Sequence, residues 1–264
     1  MTHAGAPQDD VDARLDAIER EHGVRVLYAC ESGSRAWGFA STDSDYDVRF
    51  VYVHDLDGYL SVDTQSLRDV IELPIDGLWD VDGWDLRKAL HLLSKSNPPL
   101  LEWLSSPIVY RKDRAFFDRM VAEAQAHYAP KSCLLHYLSM ANANHREYLR
   151  GDQVWRKKYF YLLRPLFACR WIEQGRGRVP MEFDVLLDAS GIDAALRRDV
   201  EQLMAEKRAG EELGRGTCIA SIDAFVDTER ARLKALTRDV PRSPRQDLSS
   251  LDRLFRDVVL RRDL

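Results

Sequence analysis

Between two strand-like runs, VRVLYAC and VRFVYV, the chain has to turn through a glycine-serine pair and then carry three acids, Asp43, Asp45 and Asp47, at every second position. Both runs are rich in β-branched and aromatic residues, and SRAWGF between them suits one or two helical turns, which reads as a β-turn-α-β unit. On an extended chain Asp45 and Asp47 project to the same face, about 7 Å apart at Cα for a rise of ~3.3 Å per residue. Like charges so close raise one another's pKa unless a cation lies between them, and all-oxygen donors suit Mg²⁺ or Mn²⁺. D-S-D-Y-D imitates the start of a calcium-binding loop, but Val48 stands where that loop needs Gly and His54 where it needs Glu.

The turn itself suits an anion. Gly33 lets the backbone approach a ligand closely, Ser34 adds a hydroxyl, and the amides that open a short helix can receive phosphate oxygens. Phe39 and Ala40 follow Gly38 where a Walker A loop needs Lys-Ser or Lys-Thr, and the G-x-G-x-x-G dinucleotide turn is missing as well. What remains is a phosphate cradle ahead of a metal-binding D-x-D, the geometry of nucleotidyl transfer. Arg35 and Arg49 flank the acids; both can clamp phosphate or form structural ion pairs, and Arg35 ranks first as the clamp.

Elsewhere the periodicity changes character. Val11, Leu15 and Ile18 line one side of a short N-terminal helix, SVDTQSLRDVIELPIDGLWDVDGWD offers weaker extended segments, and DLRKALHLLSKSN turns helical behind an Asp85 cap. From about residue 113 helical patterns take over, with Pro165 expected to kink or end one helix. TRDVPRSPRQD reads as a linker, and Leu251, Leu254, Phe255, Val258 and Val259 form a closing helical stripe. The expected fold is α+β, a small mixed twisted sheet with helices on one side plus a helical C-terminal domain. The expected domains are a catalytic one over 1–112, a helical one over 113–240, and a linker with its helix over 241–264.

At 264 residues with 45% hydrophobic content the chain can bury a proper core. Its net charge of −5 argues against a wholly basic nucleic-acid-binding surface. Four scattered cysteines suit reduced core thiols, and no apolar run approaches the ~20 residues of a membrane span, so a cytoplasmic protein with no membrane partner is expected. His136 and His145 are out of step for a helical metal pair, and Trp37, Trp84, Trp103, Trp155 and Trp171 read as packing residues before stacking platforms.

Gly33-Ser34 followed by Asp45-Tyr46-Asp47 resembles the GS…D-x-D signature of the DNA polymerase beta nucleotidyltransferase superfamily. With DVDGWDLRKAL, KSNPPLLEWLSSPIVY and KKYFYLLRPL, the resemblance extends to a nucleotidyltransferase family associated in part with bacterial RNA-repair gene sets. It implies that a third carboxylate joins Asp45 and Asp47 on the metal. DVDGW matches the family pattern at Asp80, while Asp82 takes a variable position and reads as a solvated strand-end acid; Asp43 reads as a turn residue. It also promotes Lys157 and Lys158, which composition alone would leave on a solvated stripe, to contacts with triphosphate or RNA. The implied reaction moves a nucleoside monophosphate from an NTP to an acceptor hydroxyl, with Mg²⁺ or Mn²⁺ and release of pyrophosphate, the repair association favouring an RNA 3′ end. Nucleotidylation of a protein partner and a catalytically silent nucleotide-binding protein are the alternatives, the intact GS and D-x-D residues speaking against the second.

Overall fold

The structure, a computed structural model, describes residues 5–63, 67–149, 153–210, 213–238 and 247–262. Most of the expected linker, residues 239–246, lies outside the described residues. The chain divides into two units, the first comprising the described residues of Met1–Ala36, Ser44–Tyr128 and Arg245–Leu264, the second those of Trp37–Asp43 and Ala129–Pro244.

The first unit is built on α1 (Gln8–His22), β1 (Val24–Glu31), α2 (Gly33–Trp37), β2 (Tyr46–His54), α3 (Leu56–Tyr59), β3 (Val70–Glu72), β4 (Trp79–Asp85), α4 (Leu86–Ser94), α5 (Pro98–Trp103), β5 (Val109–Lys112) and α6 (Arg114–Ala126). Its five strands form one mixed sheet in the order β3-β4-β2-β1-β5. β2 and β4 run parallel while the other pairs are antiparallel. Asp85 caps α4 as expected, its carboxylate accepting from the Arg87 amide at 2.8 Å.

Strand alternation sorts the two faces of the sheet. Val48, Phe50 and Tyr52 pack into one core with Val11, Leu15 and Ile18 of α1. Tyr28 and Val51 take the opposite face, where Tyr28 stacks on Phe117 of α6 with centroids 5.0 Å apart. Helices therefore cover both faces, where one was expected: α1 is amphipathic, and the bare face of the sheet is an apolar surface that has to be buried. Gly83 belongs to the α1 face, and a Cβ there would lie 2.3 Å from the Phe50 ring, so the ring fills the place of a side chain.

The second unit is mainly helical, with α7 (Pro130–Tyr148), α8 (Phe160–Glu173), α9 (Phe183–Ala189), α10 (Ala194–Arg208) and α11 (Ala220–Thr237). A two-stranded ribbon of β6 (Gln153–Trp155) and β7 (Arg215–Thr217) and a 3₁₀ turn, Arg156–Tyr159, complete it. Pro165 does not end its helix, because α8 runs through it to Glu173. The proline leaves the Tyr161 carbonyl without its helical donor, and Asn144 Nδ2 of α7 supplies one at 3.0 Å. The last helix, α12 (Ser249–Val259), returns to the first unit, burying Leu251, Leu254 and Val258 of the expected stripe. The first unit also takes in α6 and runs on to Tyr128. No described helix is long and apolar enough to cross a membrane.

Candidate active site

Residue alternation puts Asp47 and Arg49 of β2 on the face opposite α1, and the parallel register sets Asp47 beside Asp80 and Arg49 beside Asp82 on β4. One guanidinium gathers these acids. Arg49 Nη2 lies 3.2 Å from Asp47 and 2.8 Å from Asp80, its Nε lies 3.0 Å from Asp82, and Nη1 donates to the Asp80 carbonyl at 2.8 Å. Sequence ranking placed Arg49 behind Arg35, whereas the geometry makes Arg49 the counter-charge of the group.

Arg35 takes a different position from the one expected of a phosphate clamp. It is 7% exposed, its Nε and Nη2 donate to the carbonyls of Asp45 and Ser44 at 3.0 and 2.6 Å, and its guanidinium lies 4.1 Å over the Tyr46 ring. It fastens the loop that delivers the exposed Asp45 to the start of β2.

The glycine-serine turn is bound to the same strand. Gly33 has φ +59°, and a Cβ there would stand 2.0 Å from Asp47 Oδ2, so only glycine fits against that carboxylate. Ser32 N donates to the Asp47 carbonyl at 2.8 Å, and half-buried Ser34 follows at the start of α2. Asp45, Asp47, Asp80, Gly33 and Ser34 thus lie in one region of the first unit, whereas Lys157 and Lys158 belong to the second. Lys157 is exposed; Lys158 is half-buried with its Nζ 4.5 Å over both Tyr148 and Tyr161. Burial and the neighbouring Lys157 hold the Lys158 ammonium below its usual pKa.

Glu31, at the end of β1, is a component that pattern reading missed. It is fully buried, accepts from the Asp47 amide at 2.7 Å and takes the Tyr110 hydroxyl on its other oxygen. An acid closing the apolar run 26–30 just before a Gly-Ser turn was the available signal. Burial pushes its pKa up to about 7, and burial with the Asp80 and Asp45 charges pushes Asp47 up to about 6, Arg49 opposing the latter rise.

A carboxyl whose folded pKa is raised stabilises the fold while protonated, and that contribution is lost as pH rises through the folded value. The protein should therefore lose stability between about pH 4.5 and 7, by on the order of 3 kcal/mol at most from Glu31. In Glu31→Gln the fall above about pH 6 should largely vanish, the remainder coming from Asp47 and from Asp82 and Asp85, whose pKa burial also raises. Urea unfolding of both proteins across this range checks it, and an equally steep fall in the variant would sink the assignment.

Asp45, Asp47 and Asp80 offer only hard oxygen donors, which fit a divalent cation by chemistry. As they lie, Arg49 holds Asp47 and Asp80, and among the described residues no three His, Cys, Asp or Glu side chains converge on one point. A metal would share these two carboxylates with the guanidinium.

The chain is 44% identical over 245 residues, 93% of its length and 94% of the other's, to the uncharacterized protein YcgL of Bacillus subtilis (strain 168). A solved nucleotidyltransferase-like protein from Exiguobacterium sibiricum 255-15 aligns over 94% of this chain and 88% of its own at 12% identity, with a TM-score of 0.32 that is too low to bear on the site. The family model RlaP, described as the RNA repair pathway DNA polymerase beta family, matches residues 8–257, and the chain belongs to that family.

Proposed function

We propose that the protein transfers a nucleoside monophosphate from an NTP to the 3′ hydroxyl of an RNA, releasing pyrophosphate. The observation that carries this reading is the in-register pair Asp47 and Asp80 on parallel β2 and β4, with Gly33 packed directly against the Asp47 carboxylate. Membership in the RNA repair family supports the nucleotidyltransferase class and favours RNA as acceptor. Asp45, Asp47 and Asp80 would hold Mg²⁺ or Mn²⁺, which when bound neutralises triphosphate charge and activates the acceptor hydroxyl.

The chain's own residues do the positioning. The Gly33-Ser34 turn presents amides and a hydroxyl to phosphate oxygens, Arg35 holds the loop bearing Asp45, and Glu31 fixes the Asp47 backbone from behind. Arg49 keeps the carboxylates together before substrate binds, when their repulsion would otherwise spread them. Incubation with each labelled NTP, Mg²⁺ or Mn²⁺ and separate RNA, DNA and protein acceptors tests the reading. Label on RNA ends supports it; label on protein alone, or on nothing, overturns it.

Lys157 and Lys158 are assigned to the acceptor's phosphates. Their joint replacement by Ala should raise the acceptor KM and reduce the salt slope of single-stranded RNA binding by about 0.7 for each phosphate no longer neutralised. A change confined to NTP affinity would move them to the triphosphate, and an unchanged enzyme would return them to the solvated surface.

A further inference from the structure

Beside the carboxylates, on the same face of the sheet, lies a cavity of about 410 Å³ that the chemistry so far does not use. Arg49 and Asp82 line its near side, Glu72 of edge strand β3 lines its rim, and Trp84, Glu102 and Trp103 supply further walls. Two sequence segments meet here: DVDGWD, whose Asp80 lies beside Asp47, provides Asp82 and Trp84, and NPPLLEWL provides Glu102 and Trp103. The two indoles stack on one another with centroids 3.9 Å apart and planes 29° from parallel, so buried Trp103 backs the half-buried ring of Trp84.

The lining selects its ligand by charge. Three carboxylates face a single guanidinium that already pairs with Asp47, Asp80 and Asp82. Phosphate is therefore disfavoured inside, whereas ionised carboxylates accept hydrogen bonds and call for hydroxyl or amino donors. An indole on the wall suits a planar ring, and the volume matches one small-molecule unit and not a folded chain. Asp82 stands two residues from Asp80 on the same face of β4, so a group held in the cavity reaches the transfer site directly.

We propose that this cavity is the acceptor subsite and takes the terminal nucleoside of an RNA strand, its base against Trp84 and its donor groups on Glu72 and Asp82, with the strand's phosphates outside. The assignment rests on the nucleotidyl-transfer reading and adds to it the place where the unphosphorylated end is held and the residues that select it. An end carrying a terminal phosphate would first need a phosphatase-type reaction to expose its hydroxyls.

Saturation-transfer NMR titrations of the full chain with nucleosides and their 3′-monophosphates, without NTP or metal, test this independently of catalysis. At least one nucleoside should bind, with its 3′-monophosphate weaker by about tenfold or more, and Trp84→Leu should weaken nucleoside binding by roughly tenfold or more, the scale of one base stack removed. Trp84→Phe keeps a ring and should retain binding within about threefold, which separates a loss of stacking from a loss of folding. Glu72→Gln should narrow the gap between nucleoside and monophosphate. Absence of nucleoside binding up to millimolar concentration, monophosphates binding as well as nucleosides, or spermidine binding in their place overturns the proposal. Transfer onto RNA with an unchanged acceptor KM in Trp84→Leu also overturns it while leaving the transfer reading intact. Trp84-dependent nucleoside binding without transfer to any acceptor supports the cavity's ligand and sinks the transfer reading instead.

Discussion

Asp47→Asn should abolish nucleotide transfer, by roughly a thousandfold or more, and at the same time make the metal-free protein more stable at neutral pH. The first effect follows from removing a charged oxygen donor at the centre of the carboxylate group. The second follows from its raised pKa of about 6: above that pH the folded state carries a charge that burial and the Asp80 and Asp45 carboxylates disfavour. Asn keeps an oxygen for Arg49 and removes the repulsion, so a gain on the order of 2 kcal/mol is expected. Below about pH 4 both proteins should be alike, since Asp47 is protonated in the folded and the unfolded chain. Asp45→Asn should match the loss of transfer without the gain in stability, because Asp45 is exposed. Urea unfolding in chelator, paired with single-turnover transfer, separates the two effects. Near wild-type transfer in either variant would refute the metal-ligand assignment.

The β-turn-α-β unit was legible because its signals are local: β-branched runs, a Gly-Ser pair and an acid-rich approach to the second strand. The weak extended segments became β4, which pairs with β2, and β3, which pairs with β4. β5 was not legible, for Val109–Lys112 is a short run whose strand identity comes from pairing with β1 some eighty residues away. The three-residue strands β6 and β7 are shorter than any usable alternation. Periodicity likewise identifies α1 as amphipathic without saying which face of which sheet it covers.

At the site, residue types carry the carboxylates and the turn, but only register shows which acids become neighbours. Asp80 and Asp82 differ by one alternation step in sequence terms, yet register puts Asp80 beside Asp47 while Asp82 turns toward the cavity. Arg49 was underrated for a sound general reason, since arginines next to acids mostly form weak surface pairs. Here its side chain is 14% exposed and meets three carboxylates at once. The role of NPPLLEWL could not be read from its own pattern, because Glu102 and Trp103 acquire meaning only when α5 meets β4 across the cavity.

Gly33→Ala should cost far more in activity than in stability, and Gly23→Ala supplies the control. Both glycines adopt positive φ, +59° and +62°, so each substitution should destabilise the fold by about 1–2 kcal/mol through backbone strain alone. Their surroundings differ. Nothing lies within 4 Å of a Cβ on Gly23, whereas one on Gly33 would meet Asp47 at 2.0 Å from Oδ2 and 2.7 Å from Cγ. The Asp47 backbone cannot retreat easily, being held by Ser32 on its carbonyl and Glu31 on its amide. The carboxylate must therefore rotate away from Arg49 and Asp80, and a misplacement of about 1 Å is enough for a hundredfold loss of rate. Transfer should fall by roughly that factor or more in Gly33→Ala while Gly23→Ala remains near wild type at temperatures where both are folded. Equal activities in the two variants would show that the approach of Gly33 to Asp47 has no part in catalysis, leaving the glycine a turn residue alone.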